Sequence, residues 1–191
     1  MKIYDISQEI FSCAVFPGDP APRKQTLCAT AKGDLYNLTA FSMCAHNGTH
    51  IDAPFHFLPE GKTVEQMALE TFVGPCWVAR HSGDVTARDA KAILEQAAGA
   101  ERILIAGPTV VTAEAARVFA DSGIRLLGNE SQTVGPENGP MEVHKILLGR
   151  GIALLEGVVL QDVPQGSCFL SAAPLNLAGS DGAPCRAIFI A

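Results

Sequence analysis

The spacing of apolar positions changes several times along the chain, and each change marks an element. Lys2 to Ile6 reads as an opening strand, and Tyr36 to Met43 alternates well enough to form another, leading into the segment around His46. Gly74 to Arg80, with the β-prone Trp77 and Val78, predicts a third strand. From about Thr86 to Ala98 the period lengthens: Ala90, Ile93, Leu94 and Ala97 recur at helical spacing, and Thr86 can cap the start. The same order then recurs, with a strand over Arg102 to Ala106, a helix over Thr112 to Ser122 ending at Gly123, and a strand over Ile124 to Leu127. A short helix is expected over Val143 to Leu148, a strand over Ile152 to Glu156, and closing strands near Cys168 to Ala172 and Arg186 to Ile190.

Local signals sharpen two places. Val15-Phe16-Pro17-Gly18-Asp19-Pro20 predicts a turn or loop, because prolines fix their φ on either side of a permissive glycine. Thr63-Val64-Glu65-Gln66 has the form of a capping box and predicts the start of a short helix. Strand-rich ends around an alternating middle predict an α/β chain with a mixed sheet and packed helices. No repeat, low-complexity tract or long linker interrupts the pattern, so one domain is expected over residues 1–191.

Composition narrows the partners. A chain of 191 residues, 48% hydrophobic, can bury roughly 70% of the surface its unfolded form exposes. With 20 acidic against 14 basic residues, a formal charge of −6 and no dense basic run, the chain has little with which to bind a nucleic acid or an anionic membrane surface. The most apolar stretches, such as Gly151 to Leu160 with Glu156 inside it, fall well short of the ~20 residues a spanning helix needs, so a soluble protein is expected. Met1-Lys2-Ile3-Tyr4-Asp5 lacks the form of a secretory signal, which makes the cytoplasm the expected compartment. The 6 cysteines are scattered without a Cys-x-x-Cys pair and are expected to stay mostly reduced.

The candidate chemistry lies in His46-Asn47-Gly48-Thr49-His50-Ile51-Asp52-Ala53-Pro54-Phe55-His56-Phe57, which holds three of the 5 histidines. Asn47-Gly48 discourages a helix and Pro54 favours an extended Ala53, so an extended segment is expected. His50 and Asp52 then share one side, Ile51 takes the other, and the turn at Asn47-Gly48 can fold His46 back toward them. Two imidazoles and a carboxylate are a donor set for Zn²⁺ or Mn²⁺ with a position left for water, the alternative being polar surface histidines beside a turn. His56 lies beyond Pro54, and with a reference pKa of ~6.5 it suits a general acid/base; the alternatives are a further ligand or a hydrogen-bonded core histidine beside Phe55 and Phe57.

This run resembles the signature His-x-Gly-Thr-His-x-Asp-Ala-Pro-x-His-Phe of the cyclase family, whose best-known members are the bacterial kynurenine formamidases. The likeness continues through Leu58 to Thr63 and Glu70 to Pro75, and resumes at Val143 to Leu148, Ile152 to Gly157, Ala173 to Leu175 and Ala178 to Ala187. It implies a swivelling β/β/α fold, a homodimer or homotetramer, and a small-molecule substrate. It also implies two divalent ions, one on His46, His50 and Asp52, the other held by His144 and Glu156 with Asp52 bridging. An isolated charge at Glu156, in an otherwise apolar strand, is compatible with that role. Phe16 aligns with an aromatic residue that lines the substrate pocket in the formamidases, its other role being core packing. The Gly179-Ser180-Asp181-Gly182 turn is expected to be structural.

The implied activity is hydrolysis of a carbon–nitrogen amide bond, as in N-formylkynurenine, by metal-activated hydroxide with His56 carrying the proton. A cyclic amide of the isatin type, a lactone, or a binding protein without turnover are the competing expectations. Two stretches depart from the family pattern and bear on substrate. Gly107 to Val111 is short where many relatives have a longer arm, and Asn129-Glu130 stands in a stretch where members often carry an aspartate.

Overall fold

The computed structural model of the chain describes residues 1–191. In chain order its strands and helices are β1 (Ile3–Asp5), β2 (Arg23–Cys28), β3 (Leu38–Ser42), β4 (His50–Asp52), β5 (Val73–Arg80), β6 (Gly83–Val85), α1 (Ala87–Ala97), β7 (Arg102–Ala106), β8 (Thr109–Val111), α2 (Ala113–Ala120), β9 (Leu126–Asn129), α3 (Met141–Leu148), β10 (Ala153–Glu156), β11 (Gly166–Ser171), β12 (Gly182–Pro184) and β13 (Ile188–Ile190). One-turn 3-10 helices fill several connections, including Pro54–His56 and Val64–Gln66, where the Gln66 side chain reaches back to the Thr63 amide. No helix is long and apolar enough to cross a membrane.

Nine strands form one mixed sheet in the order β1-β13-β11-β5-β7-β9-β10-β4-β12. Its centre, β5, β7, β9 and β10, is parallel, and antiparallel strands flank it on both sides. Two small sheets stand apart, the β2–β3 hairpin and the parallel pair β6–β8. The helices start as their sequences require: Thr86 accepts the Asp89 amide to cap α1, and Thr112 accepts the Ala115 amide to cap α2.

Alternation along the strands divides the interior into two cores. In β7, Ile103 and Ile105 face α1, α2 and α3, while Leu104 and Ala106 face the core containing Ile6, Ile51, Phe72, Val78 and Phe189. β10 follows the same rule: Leu154 packs on the helix side and Leu155 on the opposite side. Glu156, two residues after Leu154, therefore falls on the helix side, and so do His50 and Asp52, because Ile51 between them fills the opposite core.

Candidate active site

Three adjacent strands set the register of the site. Glu156 at the carboxyl end of β10 lies directly across from His50 on β4, and Leu154 across from Asp52. On the other side of β4, Gly182 of β12 faces Asp52. Gly182 leaves room for the His46 ring, since a Cβ there would stand 2.8 Å from His46 Cε1 and 2.6 Å from the Ile51 carbonyl oxygen. α3 covers this face, burying Val143, Leu147 and Leu148, and carries His144 inward with them.

The donors converge on Asp52. His46 Nδ1 is 2.7 Å and His50 Nε2 3.4 Å from Asp52 Oδ1, while His144 Nε2 is 3.4 Å from Asp52 Oδ2. Glu156 completes the ring, with Oε1 3.2 Å from His144 Nε2 and Oε2 3.5 Å from His50 Nε2. In each histidine the second ring nitrogen is anchored elsewhere: His50 Nδ1 on the Gly48 carbonyl at 2.9 Å, His144 Nδ1 on the Pro140 carbonyl at 2.8 Å, and His46 Nε2 on Asp181 Oδ2 at 2.8 Å. These partners place the proton on the outer nitrogen and leave the inner one as a donor atom, the pattern of ligating histidines.

The set fits a divalent cation. Asp52 Oδ2 is buried and has no well-formed hydrogen bond, only His144 Nε2 at 3.4 Å, an expensive arrangement for a carboxylate unless a cation satisfies it. Donors bound at metal distances of about 2.0–2.1 Å in a tetrahedral array stand about 3.3 Å apart, close to the 3.4 Å between His50 and Asp52 Oδ1 and to the 3.4 Å and 3.2 Å from His144 to Asp52 Oδ2 and Glu156.

The electrostatics give the same picture. Burial alone would lower the pKa of His46, His50 and His144, but the neighbouring carboxylates, Asp181 and Asp52 for His46 and Asp52 and Glu156 for the other two, raise each to about 10. Burial works against a charge on Asp52, yet His144, His46 and His50 hold its carboxyl well below the usual range. Without a cation, this cluster neutralises its carboxylates by taking up protons.

His56 sits beside the cluster in the one-turn helix Pro54–His56, its ring centroid 4.1 Å from that of His46. Its Nδ1 is 3.0 Å from Asp181 Oδ2, the oxygen that also meets His46. The His46 hydrogen bond, helped by that of His56 and opposed by partial burial, keeps the Asp181 carboxyl below the ordinary aspartate range. Asp181 thus precedes β12 in a turn, as expected of a glycine-flanked aspartate, but also joins a ligand-type histidine to the proposed proton carrier.

A cavity of about 260 Å³ opens on this cluster, lined on the protein side by His46, His50, His56, His144 and Glu156. Phe16, Asp19, Phe57, Gln132, Thr133 and Pro140 form the rest of its wall. A larger cavity of about 770 Å³ lies elsewhere, between Phe11, Phe41, Met43 and Leu175, and borders none of these histidines.

The structure therefore brings together His46, His50, Asp52, His56, His144 and Glu156, with Phe16 on the shared cavity wall. The two divergent stretches lie outside that wall and are tied to each other: Glu130 accepts the Gly107 amide at 2.5 Å and the Leu160 amide at 2.8 Å. Asn129 is buried at the end of β9. Asp181 and, on the cavity wall, Gln132 and Thr133 are among the residues of this region that the sequence does not point to. Nothing local signals the last two, and the first has the composition of an ordinary turn.

Residues 4–136 match the sequence model of the Cyclase family, described as "Putative cyclase". The kynurenine formamidase of Bacillus cytotoxicus is 34% identical over 202 residues, covering 96% of this chain and 95% of that protein. A solved structure described as a "predicted metal-dependent hydrolase from Bacillus stearothermophilus" superposes with a TM-score of 0.81 at 30% identity, over 98% of this chain and 97% of that one. Isatin hydrolase A of Labrenzia aggregata, at 24% identity and a TM-score of 0.84 over 99% of this chain and 93% of that chain, shares the fold.

Proposed function

Because this chain belongs to the cyclase family, we propose that it hydrolyses the carbon–nitrogen bond of a small amide, an arylformamide of the N-formylkynurenine type or a related cyclic amide, with two divalent ions, Zn²⁺ or Mn²⁺. The observation that carries the reading is the cluster of Asp52 with His46, His50, His144 and Glu156 around it, in which one Asp52 oxygen lacks a well-formed hydrogen bond, bordering a cavity that His56 also lines. His46, His50 and Asp52 would hold one ion, and Asp52, His144 and Glu156 the other. Bound there, the ions would supply a water activated near neutral pH and polarise the amide carbonyl.

The remaining steps belong to side chains. With its Nδ1 hydrogen committed to Asp181, His56 keeps Nε2 as the ring's acceptor; it takes the proton of the attacking water and returns it to the leaving nitrogen. Asp181 acts as a positioning residue, fixing the tautomer and orientation of His56 and of His46. Phe16 and Phe57 give the cavity apolar walls against which an aromatic ring can lie, and its small volume suits a one- or two-ring compound.

Metal analysis of the purified protein, followed by assays on N-formylkynurenine, formanilide, isatin and a small lactone, tests the reading. Stoichiometric metal is expected, with amide turnover abolished by a chelator and restored by Zn²⁺ or Mn²⁺. Stoichiometric metal with no turnover across the panel would overturn it in favour of a binding protein.

A further inference from the structure

Val15-Phe16-Pro17-Gly18-Asp19-Pro20 turns back on itself beside the cavity. The Asp19 amide donates to the Phe16 carbonyl at 3.0 Å, with Pro17 and Gly18 exposed at the tip and Gly18 at φ +102°. Proline in second place and a left-handed glycine in third make this a type II turn, which brings its first and fourth Cα atoms within about 7 Å. Those two residues, Phe16 and Asp19, are both half-buried and both on the cavity wall. The turn thus presents an aromatic face and a carboxylate side by side.

One oxygen of that carboxylate is turned inward: Oδ2 lies 3.8 Å from Cys44 Sγ, a weak donor two residues before His46. The other, Oδ1, meets no protein donor and is open to solvent. Asp19 belongs to neither group of side chains close enough to share an ion, whereas Glu156, the other carboxylate on the wall, belongs to one of them. No lysine or arginine lines the cavity, and histidines that hold an ion are neutral, so the Asp19 charge has no cationic side chain facing it there.

A half-buried carboxylate with a free oxygen, set beside an aromatic ring, suits a cationic amino group. A charge-assisted hydrogen bond is roughly twice as strong as a neutral one, and a carboxylate in the same place would be repelled. We propose that Asp19 is a specificity-determining residue of the site, selecting arylformamides whose ring carries a cationic amino group and holding that ammonium on Oδ1 while the ring lies along Phe16. This deepens the amide-hydrolase reading and rests on it for the identity of the site.

The test uses the metal-loaded protein with three sets of formanilides, bearing an aminomethyl, an ethyl or a carboxylate group at the 3- or 4-position of the ring. The first two sets match in size and differ in charge. The unaltered protein is expected to prefer the aminomethyl compounds. Asp19→Asn should lower kcat/KM for them by about 10–100-fold relative to the ethyl compounds, the range of a hydrogen bond to a charged group. Asp19→Glu, which keeps the charge, should retain part of the preference, and Asp19→Lys should turn it toward the carboxylates. A preference gained in this way cannot come from a damaged fold, and unchanged metal content shows that the ligand cluster is intact.

Calorimetric binding of the same compounds to metal-loaded His56→Ala protein, with and without Asp19→Asn, reads the preference without turnover. A binding preference for the aminomethyl compounds that is lost on Asp19→Asn, with no amide turned over by the unaltered protein, would support this role for Asp19 while overturning the hydrolase reading. Turnover of the formanilides with no charge preference, or with one that Asp19→Asn and Asp19→Lys leave in place, would overturn the role of Asp19 and leave the hydrolase reading standing. Failure of the unaltered protein to bind or turn over any of these compounds would overturn both.

Discussion

His50, Asp52 and Glu156 stand on paired strands with His144 on a helix packed over them, whereas His56, Asp181, Asp19 and Phe16 come from loops and a one-turn helix around the cavity. The first group is sealed, with side chains 1–3% exposed; His56 and Asp181 are 26% and 40% exposed. Donors that must converge on one point within a few tenths of an ångström are carried by elements whose register is fixed by backbone hydrogen bonds. Groups that meet substrate sit where the chain can open to it. The two halves should therefore fail differently: damage to the sealed half should remove metal, and damage to the loop half should spare metal while slowing turnover.

Asp52→Asn is the harshest break. Both candidate ion sets include this carboxylate, so the variant should lose bound metal at both. The loss of turnover should exceed the ~10²–10⁴-fold expected for removing a general acid/base. Elemental analysis beside the amide assay checks it, and a variant with full metal content would show that the sealed half does not hold the ions.

His56→Ala tests the other half. It should keep its metal and lose turnover by ~10²–10⁴-fold, through kcat more than KM. Loss of metal on this substitution would place His56 among the ligands and dissolve the distinction between the halves.

How far each half could be read in the sequence follows from the same contrast. The sealed half obeys local rules: an extended His50-Ile51-Asp52 puts the flanking residues on one face, and the charge of Glu156 is anomalous in an apolar strand. Both features survive in the fold because alternation is a property of the strand itself. Capped helices α1 and α2 were legible for a similar reason. Where polarity misleads, the reading slips: the strand expected over Ile124 to Leu127 runs over Leu126–Asn129, because the polar Asn129 is buried at its end. β2, exposed along nearly its whole length, shows no alternation to find, and three-residue strands such as β12 exist only through their partners. Asp181 acquires meaning only from chain 125 or more residues distant, His56 and His46.

Asp181→Asn bears on the link between the halves. The substitution preserves shape but replaces an oxygen that accepts from both His46 and His56 with an amide that supplies one acceptor and a competing donor. Supporting residues of this kind typically account for 10–100-fold in metal affinity or activity. A fall of about that size in kcat is expected, with a shifted pH–rate profile and largely retained metal. An unchanged profile and rate would reduce Asp181 to the turn its sequence suggests.

The smallest effect concerns protons on the candidate ligand histidines, the sealed His50 and His144 and the adjoining His46. In the metal-free cluster His46, His50 and His144 have pKa values raised to about 10, so they are protonated at neutral pH. A metal ion needs neutral imidazole nitrogens, and binding must therefore expel protons. The sign follows: affinity should rise with pH while these histidines remain protonated in the free protein, by about tenfold per pH unit for each net proton released, and level off toward pH 10. Calorimetric titration of Zn²⁺ at neutral pH in buffers of different ionisation enthalpy counts those protons directly. Net release is expected in the unaltered protein and in His56→Ala alike, because His56 belongs to the loop half. A proton count near zero would mean that the carboxylates of the sealed half, rather than its histidines, dominate the binding of the ion.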